Sequence, residues 1–148
     1  MLARVFGDLV ATDIAGEALK LARRSVGPHP GARYVRSDIR RLDLGRRFDL
    51  IFSAELLYYL PDEATSAVAD VFRRHLTPGG MVVTVMPLPA EGMSNNPTPR
   101  WRRRLQEHGF RLESETVFED SLRPCEILAY VVPGEEPAGT AAGHDGRS

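Results

Sequence analysis

With 148 residues, 43% hydrophobic and 26% charged, the chain has the size and make-up of one globular domain with its own core. A formal net charge of -1 gives no electrostatic argument for nucleic acid or an anionic membrane surface as partner. The single cysteine, Cys125, excludes an intrachain disulfide, no apolar run approaches the roughly 18 residues of a membrane span, and Met1–Arg4 lacks the apolar core of a signal peptide, so a cytoplasmic protein is expected.

Asp8–Asp13 is a short apolar run that ends in a carboxylate. Ile14–Arg24 follows with Ala18, Leu19, Leu21 and Ala22 on one helical face, and Gly27-Pro28-His29-Pro30-Gly31 must break that helix. Arg33–Asp38 reads as a second strand, again with a terminal carboxylate, which completes a βαβ unit. Phe48–Ser53 has the continuous apolar centre of a parallel strand covered on both faces. Pro61-Asp62 opens a helix whose Ala64, Ala67, Val68, Val71, Phe72 and Leu76 share a side. Thr77-Pro78-Gly79-Gly80 ends it as a turn, and Met81–Met86 is the next strand.

Pro87–Pro97 is rich in breakers and reads as a loop. Thr98-Pro99 supplies an N-cap followed by proline at the first helical position. Trp101, Leu105 and His108 form the inner stripe of that helix, and Gly109 stops it. Phe110–Phe118 and Cys125–Val132 read as a final hairpin, and Pro133–Ser148 is too polar and glycine-rich to order itself. The sum is an α/β fold: a mostly parallel twisted sheet, helices on both faces, and a C-terminal antiparallel hairpin.

Ligands of open α/β sheets lie beyond the carboxyl ends of the strands. Three strands here end in carboxylates: Asp13, Asp38 and Glu55. The first can accept both hydroxyls of a ribose, and the second can accept an adenine amino group, with Ile39 packed on the base. Each has a plainer reading as well: Asp13 as a helix cap, Asp38 as a turn residue, Ile14 and Ile39 as core. Four scattered histidines and one cysteine have no metal-ligand spacing, so no metal is expected.

Asp13-Ile14 with Glu17-Ala18-Leu19, Asp38-Ile39, and Phe48-Asp49-Leu50-Ile51 with Glu55-Leu56-Leu57-Tyr58-Tyr59-Leu60 and Leu76-Thr77-Pro78-Gly79-Gly80 together resemble the Rossmann-like class I S-adenosylmethionine-dependent methyltransferases. The wording of Glu55–Leu60 is most similar to the nodulation-type N-methyltransferases, which act on an amino sugar. The resemblance covers roughly Gly7–Val132. It implies S-adenosyl-L-methionine as cofactor, with Asp13 and Ile14 at the ribose, Asp38 and Ile39 at the adenine, and Glu55 near the methyl group. It also implies a small-molecule acceptor methylated on nitrogen or oxygen.

Glu55 is then the candidate acid/base and Tyr58 the residue that orients the acceptor or faces the sulfonium, Tyr59 competing for that role. Capping is the plainer use of Glu55. The family's first strand and its glycine-rich loop have no counterpart here, since Met1–Gly7 reads as the tail of the helix that follows that loop. The absent strand belongs between those ending at Asp13 and Glu55. The expected organisation is therefore a domain over 1–132, truncated at its N-terminus, and a disordered tail over 133–148. A truncated gene or misplaced start, a second chain or homodimer completing the sheet, and a non-catalytic binding or scaffold protein are the readings that accommodate this. A nicotinamide-type enzyme is a weaker alternative, its dinucleotide fingerprint being equally absent.

Overall fold

The computed structural model describes residues 7–89, 96–119 and 122–134. In chain order these form β1 (Leu9–Asp13), α1 (Gly16–Val26), β2 (Ala32–Arg36), β3 (Phe48–Ala54), α2 (Thr65–His75), β4 (Leu76–Pro87), α3 (Thr98–Glu107), β5 (Arg111–Phe118) and β6 (Cys125–Val131). Short 3-10 turns at Ile39–Arg41, Leu57–Tyr59 and Asp62–Ala64 join them. The expected Met1–Gly7 helix tail and the chain beyond Gly134 lie almost wholly outside the described residues, as does most of the Pro87–Pro97 loop.

The α/β architecture is the one the alternating pattern implied. β1 pairs in parallel with β2 from Leu9↔Ala32 to Asp13↔Arg36. β3 pairs in parallel with β4 from Leu50↔Met81 to Ala54↔Val85. β6 inserts between β4 and β5 and runs antiparallel to both, which makes it the one reversed strand. These pairings form two sheets, β1–β2 and β3–β4–β6–β5. Among the described residues no strand pairs with the second edge of β1 or of β3. An ion pair from Arg46 Nη2 to Asp8 Oδ2, at 2.6 Å, ties the approach to β3 to the approach to β1.

One face of the four-stranded sheet carries the core. Val68 and Phe72 of α2 and Trp101 and Leu105 of α3 pack against Val82 and Met86 of β4 and Leu128 and Tyr130 of β6. Burial alternates along β4, as the period-two pleat requires: Val82, Thr84 and Met86 are buried, Val83 and Val85 half-buried. On β3 the expectation of cover on both faces fails, since Phe52 is 46% exposed. The physical reason is local: α2 and α3 cover the opposite face, while α1 packs on β1 and β2.

Three details depart from the sequence reading. Phe48 pairs with Leu76 and Leu50 with Met81, so the Thr77–Gly80 turn is an outward bulge within the span of β4. Gly79 supplies a φ of 79°, and a Cβ on Gly80 would lie 2.8 Å from the Thr77 carbonyl oxygen, so both glycines are required. Thr98 does not cap α3. The Asn96 side chain accepts the Thr98 N–H at 2.9 Å, and Thr98 itself is buried as the first helical residue. The charge run Arg102-Arg103-Arg104 reads by itself as a solvated helix face, but Arg102 and Arg104 bind Glu115 at 2.8 Å and the Thr65 hydroxyl at 3.1 Å.

Candidate functional site

The carboxyl ends of β1, β2 and β3 carry the three acidic residues the sequence singles out. Asp13 closes β1, and its Oδ1 accepts the Ala15 N–H at 2.7 Å. This Asx turn swings the chain into α1, which starts at Gly16, later than the Ile14 start expected. The other carboxylate oxygen makes no hydrogen bond among the described residues. Ile14 is 62% exposed beside it, and its carbonyl accepts from Arg36 Nε at 3.0 Å. Ile14 is therefore not core; it presents an apolar flank next to a free carboxylate oxygen.

Asp38 lies two residues beyond β2 and caps the Ile39–Arg41 turn by accepting the Arg40 N–H at 2.9 Å. The Arg40 guanidinium also grips the carboxylate, its Nε 3.0 Å from each oxygen and its Nη2 2.5 Å from Oδ2. The side-chain and backbone hydrogen bonds from Arg40 pull the Asp38 carboxyl down to about 2. Ile39 is half-buried against the main core. Its packing matches the plainer core reading, although its place beside Asp38 is unchanged.

Glu55 follows β3 and is the one non-glycine with positive φ among the described residues, at 54°. Its N–H bonds the Val85 carbonyl at 3.3 Å, and its Oε2 accepts the Tyr58 hydroxyl at 2.6 Å. That carboxylate raises the Tyr58 phenol well above its ordinary range, because losing the proton would leave two anions in contact. The Tyr58 and Tyr59 rings are tilted by 41° with centroids 4.2 Å apart. Tyr58 packs against the core, whereas Tyr59 is 73% exposed. One tyrosine is thus locked to Glu55 and the other faces outward.

Asp13, Asp38 and Glu55 share the carboxyl edge of the strands but make no hydrogen bond with one another. Asp13 and Asp38 hold the end of one sheet, and Glu55 the end of the other. Behind Glu55, Trp101 Nε1 donates to the Leu57 carbonyl at 2.9 Å, so α3 braces the turn that carries Tyr58. Sequence reasoning missed this brace and missed Arg40. The signal for Arg40 was present as Asp38-x-Arg40 directly after a strand. His75 is buried: Leu44 N–H donates to its Nε2 at 3.0 Å, so Nδ1 carries the proton given to the Val71 carbonyl. Among the described residues no helix is long and apolar enough to cross a membrane.

Arg40→Gln should return the Asp38 titration from about 2 toward its ordinary 3.8, measured by carboxyl-carbon NMR. The folded-state value is depressed, so the pair's contribution is present above 3.8 and lost as pH falls toward 2. An unchanged Asp38 midpoint would contradict the pairing.

Known proteins resemble this chain in sequence and fold. The "Methyltransferase domain" family matches residues 1–80. Nodulation protein S from Rhizobium tropici is 38% identical over 77 residues, which is 51% of this chain and 32% of that protein. Trans-aconitate 2-methyltransferase from Azoarcus sp. (strain BH72) is 33% identical over 79 residues, 53% of this chain and 29% of that protein. The chain spans about a third of the length of these curated relatives. The crystal structure of N-methyltransferase NodS from Bradyrhizobium japonicum WM9 with S-adenosyl-L-homocysteine superposes with a TM-score of 0.67, at 20% identity, covering 85% of this chain and 67% of that one. This likeness extends the Rossmann-like fold over the C-terminal strands as well. The chain belongs to the methyltransferase domain family.

Proposed function

We propose that this chain provides the adenosyl-binding and acceptor-side parts of an S-adenosylmethionine-dependent methyltransferase acting on a nitrogen or oxygen nucleophile of a small molecule. The observation that carries this reading is Glu55, held in a strained backbone conformation at the ligand-bearing edge of the sheet and hydrogen-bonded to Tyr58. Strain of that kind persists where surrounding structure over-determines it, and it aims the carboxylate beyond the strand end.

The residues suit an adenosyl group. The free oxygen of Asp13 is available for ribose hydroxyls, with the exposed Ile14 as an apolar flank. Asp38 fits less completely, because Arg40 already occupies both of its oxygens. Its role is then to set the Ile39–Arg41 turn against the base, with Ile39 lining that side. S-adenosylmethionine, when bound, supplies an electrophilic methyl group on a sulfonium. Glu55 can hold or take the proton of an amine acceptor, and Tyr58 fixes the carboxylate's direction. The likeness to the N-methyltransferase NodS supports nitrogen, and the Glu55–Leu60 wording adds an amino sugar as acceptor; the likeness to a trans-aconitate methyltransferase, whose acceptor is a carboxylic acid, keeps oxygen in view.

Calorimetry with S-adenosylhomocysteine tests this. Replacing Asp13 and Asp38 together by alanine removes two or more hydrogen bonds worth about 0.5–1.5 kcal/mol each, so affinity should drop about tenfold or more. Binding that the double variant leaves unchanged would end the reading. A second reading, a non-catalytic binding or scaffold protein of the same fold, draws on the edges of β1 and β3 that no strand among the described residues pairs with. A second chain or homodimer that lays a parallel strand between them is the form such a partnership would take.

A further inference from the structure

The strand edge opposite the candidate site holds a separate concavity. A cleft of about 570 Å³ opens where β3 and β4 begin and β6 ends, lined by Arg47, Arg73, Arg74, Asp70, Leu76 and Val132 among others. That volume suits a small organic ligand. A second hollow of about 220 Å³ shares Arg47 and Arg74 and adds Arg46.

The arginines arrive from different segments. Arg73 and Arg74 sit in the last turn of α2, where cations ordinarily complement the helix dipole. Arg47 precedes β3 and has no such excuse. Neither Arg47 nor Arg73 is paired with a carboxylate among the described residues, whereas eight other arginines are. Arg74 commits one N–H to the Leu42 carbonyl at 2.9 Å, which fixes its direction. Arg73 lies against Gly109, where an added Cβ would stand 3.6 Å from its Nη1. Asp70, the one acid on the wall, lies 2.9 Å from His108 Nδ1 and is engaged there. Three positive charges against one negative charge from Asp70 and the roughly half negative charge of the α2 end leave the cleft electropositive. Pro78 and Pro133, both exposed, give it an apolar wall beside the guanidinium forks, backed by buried Leu76 and Val132.

We propose that this cleft binds a phosphate-bearing small molecule, its phosphoryl oxygens in the guanidinium forks of Arg47, Arg73 and Arg74 and its less polar body against Pro78 and Pro133. Planar guanidinium groups match phosphate in bidentate geometry, which is why unpaired arginines converging on a concavity point to this ligand class. The site lies at the amino end of β3 and β4, away from Asp13, Asp38 and Glu55, so it does not depend on the methyltransferase reading.

Titration calorimetry of the whole chain with inorganic phosphate, pyrophosphate and phenyl phosphate tests it, at constant ionic strength set with sodium chloride. Phenyl phosphate and pyrophosphate should bind more tightly than inorganic phosphate. Arg47→Gln and Arg73→Gln should each weaken phenyl phosphate about tenfold, while Asp13→Ala leaves it unchanged. Inorganic phosphate binding as well as phenyl phosphate would remove the apolar wall from the proposal and overturn that part of it. Both arginines are exposed, so melting curves of the variants should overlay the parent and exclude misfolding as the cause. No binding of any probe, or phenyl phosphate affinity in both variants equal to that of the parent, overturns the proposal.

Discussion

Trp101→Ala should lower the unfolding free energy by about 3–5 kcal/mol, the range for removing a fully buried tryptophan. Trp101 is 1% exposed and sits where α3 meets β4, β6 and the turn after β3. Its truncation opens a cavity and also removes one of the two hydrogen bonds to the Leu57 carbonyl, which accepts its Nε1 at 2.9 Å and the Leu60 N–H at 3.2 Å. Trp101→Phe separates the two effects. It retains much of the ring volume but leaves the carbonyl with the Leu60 N–H alone, at a cost of about 0.5–1.5 kcal/mol for the lost bond. Urea unfolding followed by far-UV circular dichroism is the appropriate measurement, since the chain has a single tryptophan and fluorescence disappears with it. A loss below about 1 kcal/mol for the alanine variant would contradict the packing described. The same variant should loosen the Glu55–Tyr58 hydrogen bond, because Leu57 opens the turn that carries Tyr58.

Glu55 is the second site of large effect, and there stability and activity should part. Glu55→Ala keeps the Cβ that strains a left-handed backbone, whereas Glu55→Gly relieves about 1–2 kcal/mol of that strain. The greater freedom of glycine in the unfolded chain offsets part of the gain, about 0.4–1 kcal/mol. The glycine variant should therefore be more stable than the alanine variant by about 1 kcal/mol. Both should lose methyl transfer to an amine by about 10²–10⁴-fold if the carboxylate manages the acceptor's proton. Equal stability of the two variants would show that φ at residue 55 is not strained. Full turnover in Glu55→Gln, which keeps the shape and removes the charge, would eliminate the acid/base role.

Much of the architecture was legible before any coordinates. The apolar run Phe48–Ser53, the helical stripe from Ala64 to Phe72 and the hairpin Phe110–Val132 all encode their periods directly, and each element forms where its period implied. The carboxylates at strand ends were visible because a strand that ends in an acid leaves that acid at the ligand-bearing edge. What was not legible was each acid's company. Arg40 is two residues from Asp38, yet whether it grips the carboxylate or points to solvent depends on the 3-10 turn between them. Thr98 looked like a cap because Thr-Pro is the usual wording of one; Asn96 won, since its side chain reaches the Thr98 N–H from two residues upstream.

By itself, the sequence determined the order of elements, the family and the identity of the acidic residues at three strand ends, because these depend on periodicity and on side-chain chemistry read locally. Tertiary structure alone decided that the strands fall into two sheets, that Glu55 is strained onto Tyr58, that Trp101 braces their turn, and that Arg47 meets Arg73 and Arg74 in one cleft. The physical reason is distance along the chain: Trp101 and Leu57 are 44 residues apart, and no local pattern encodes which buried N–H will find which carbonyl.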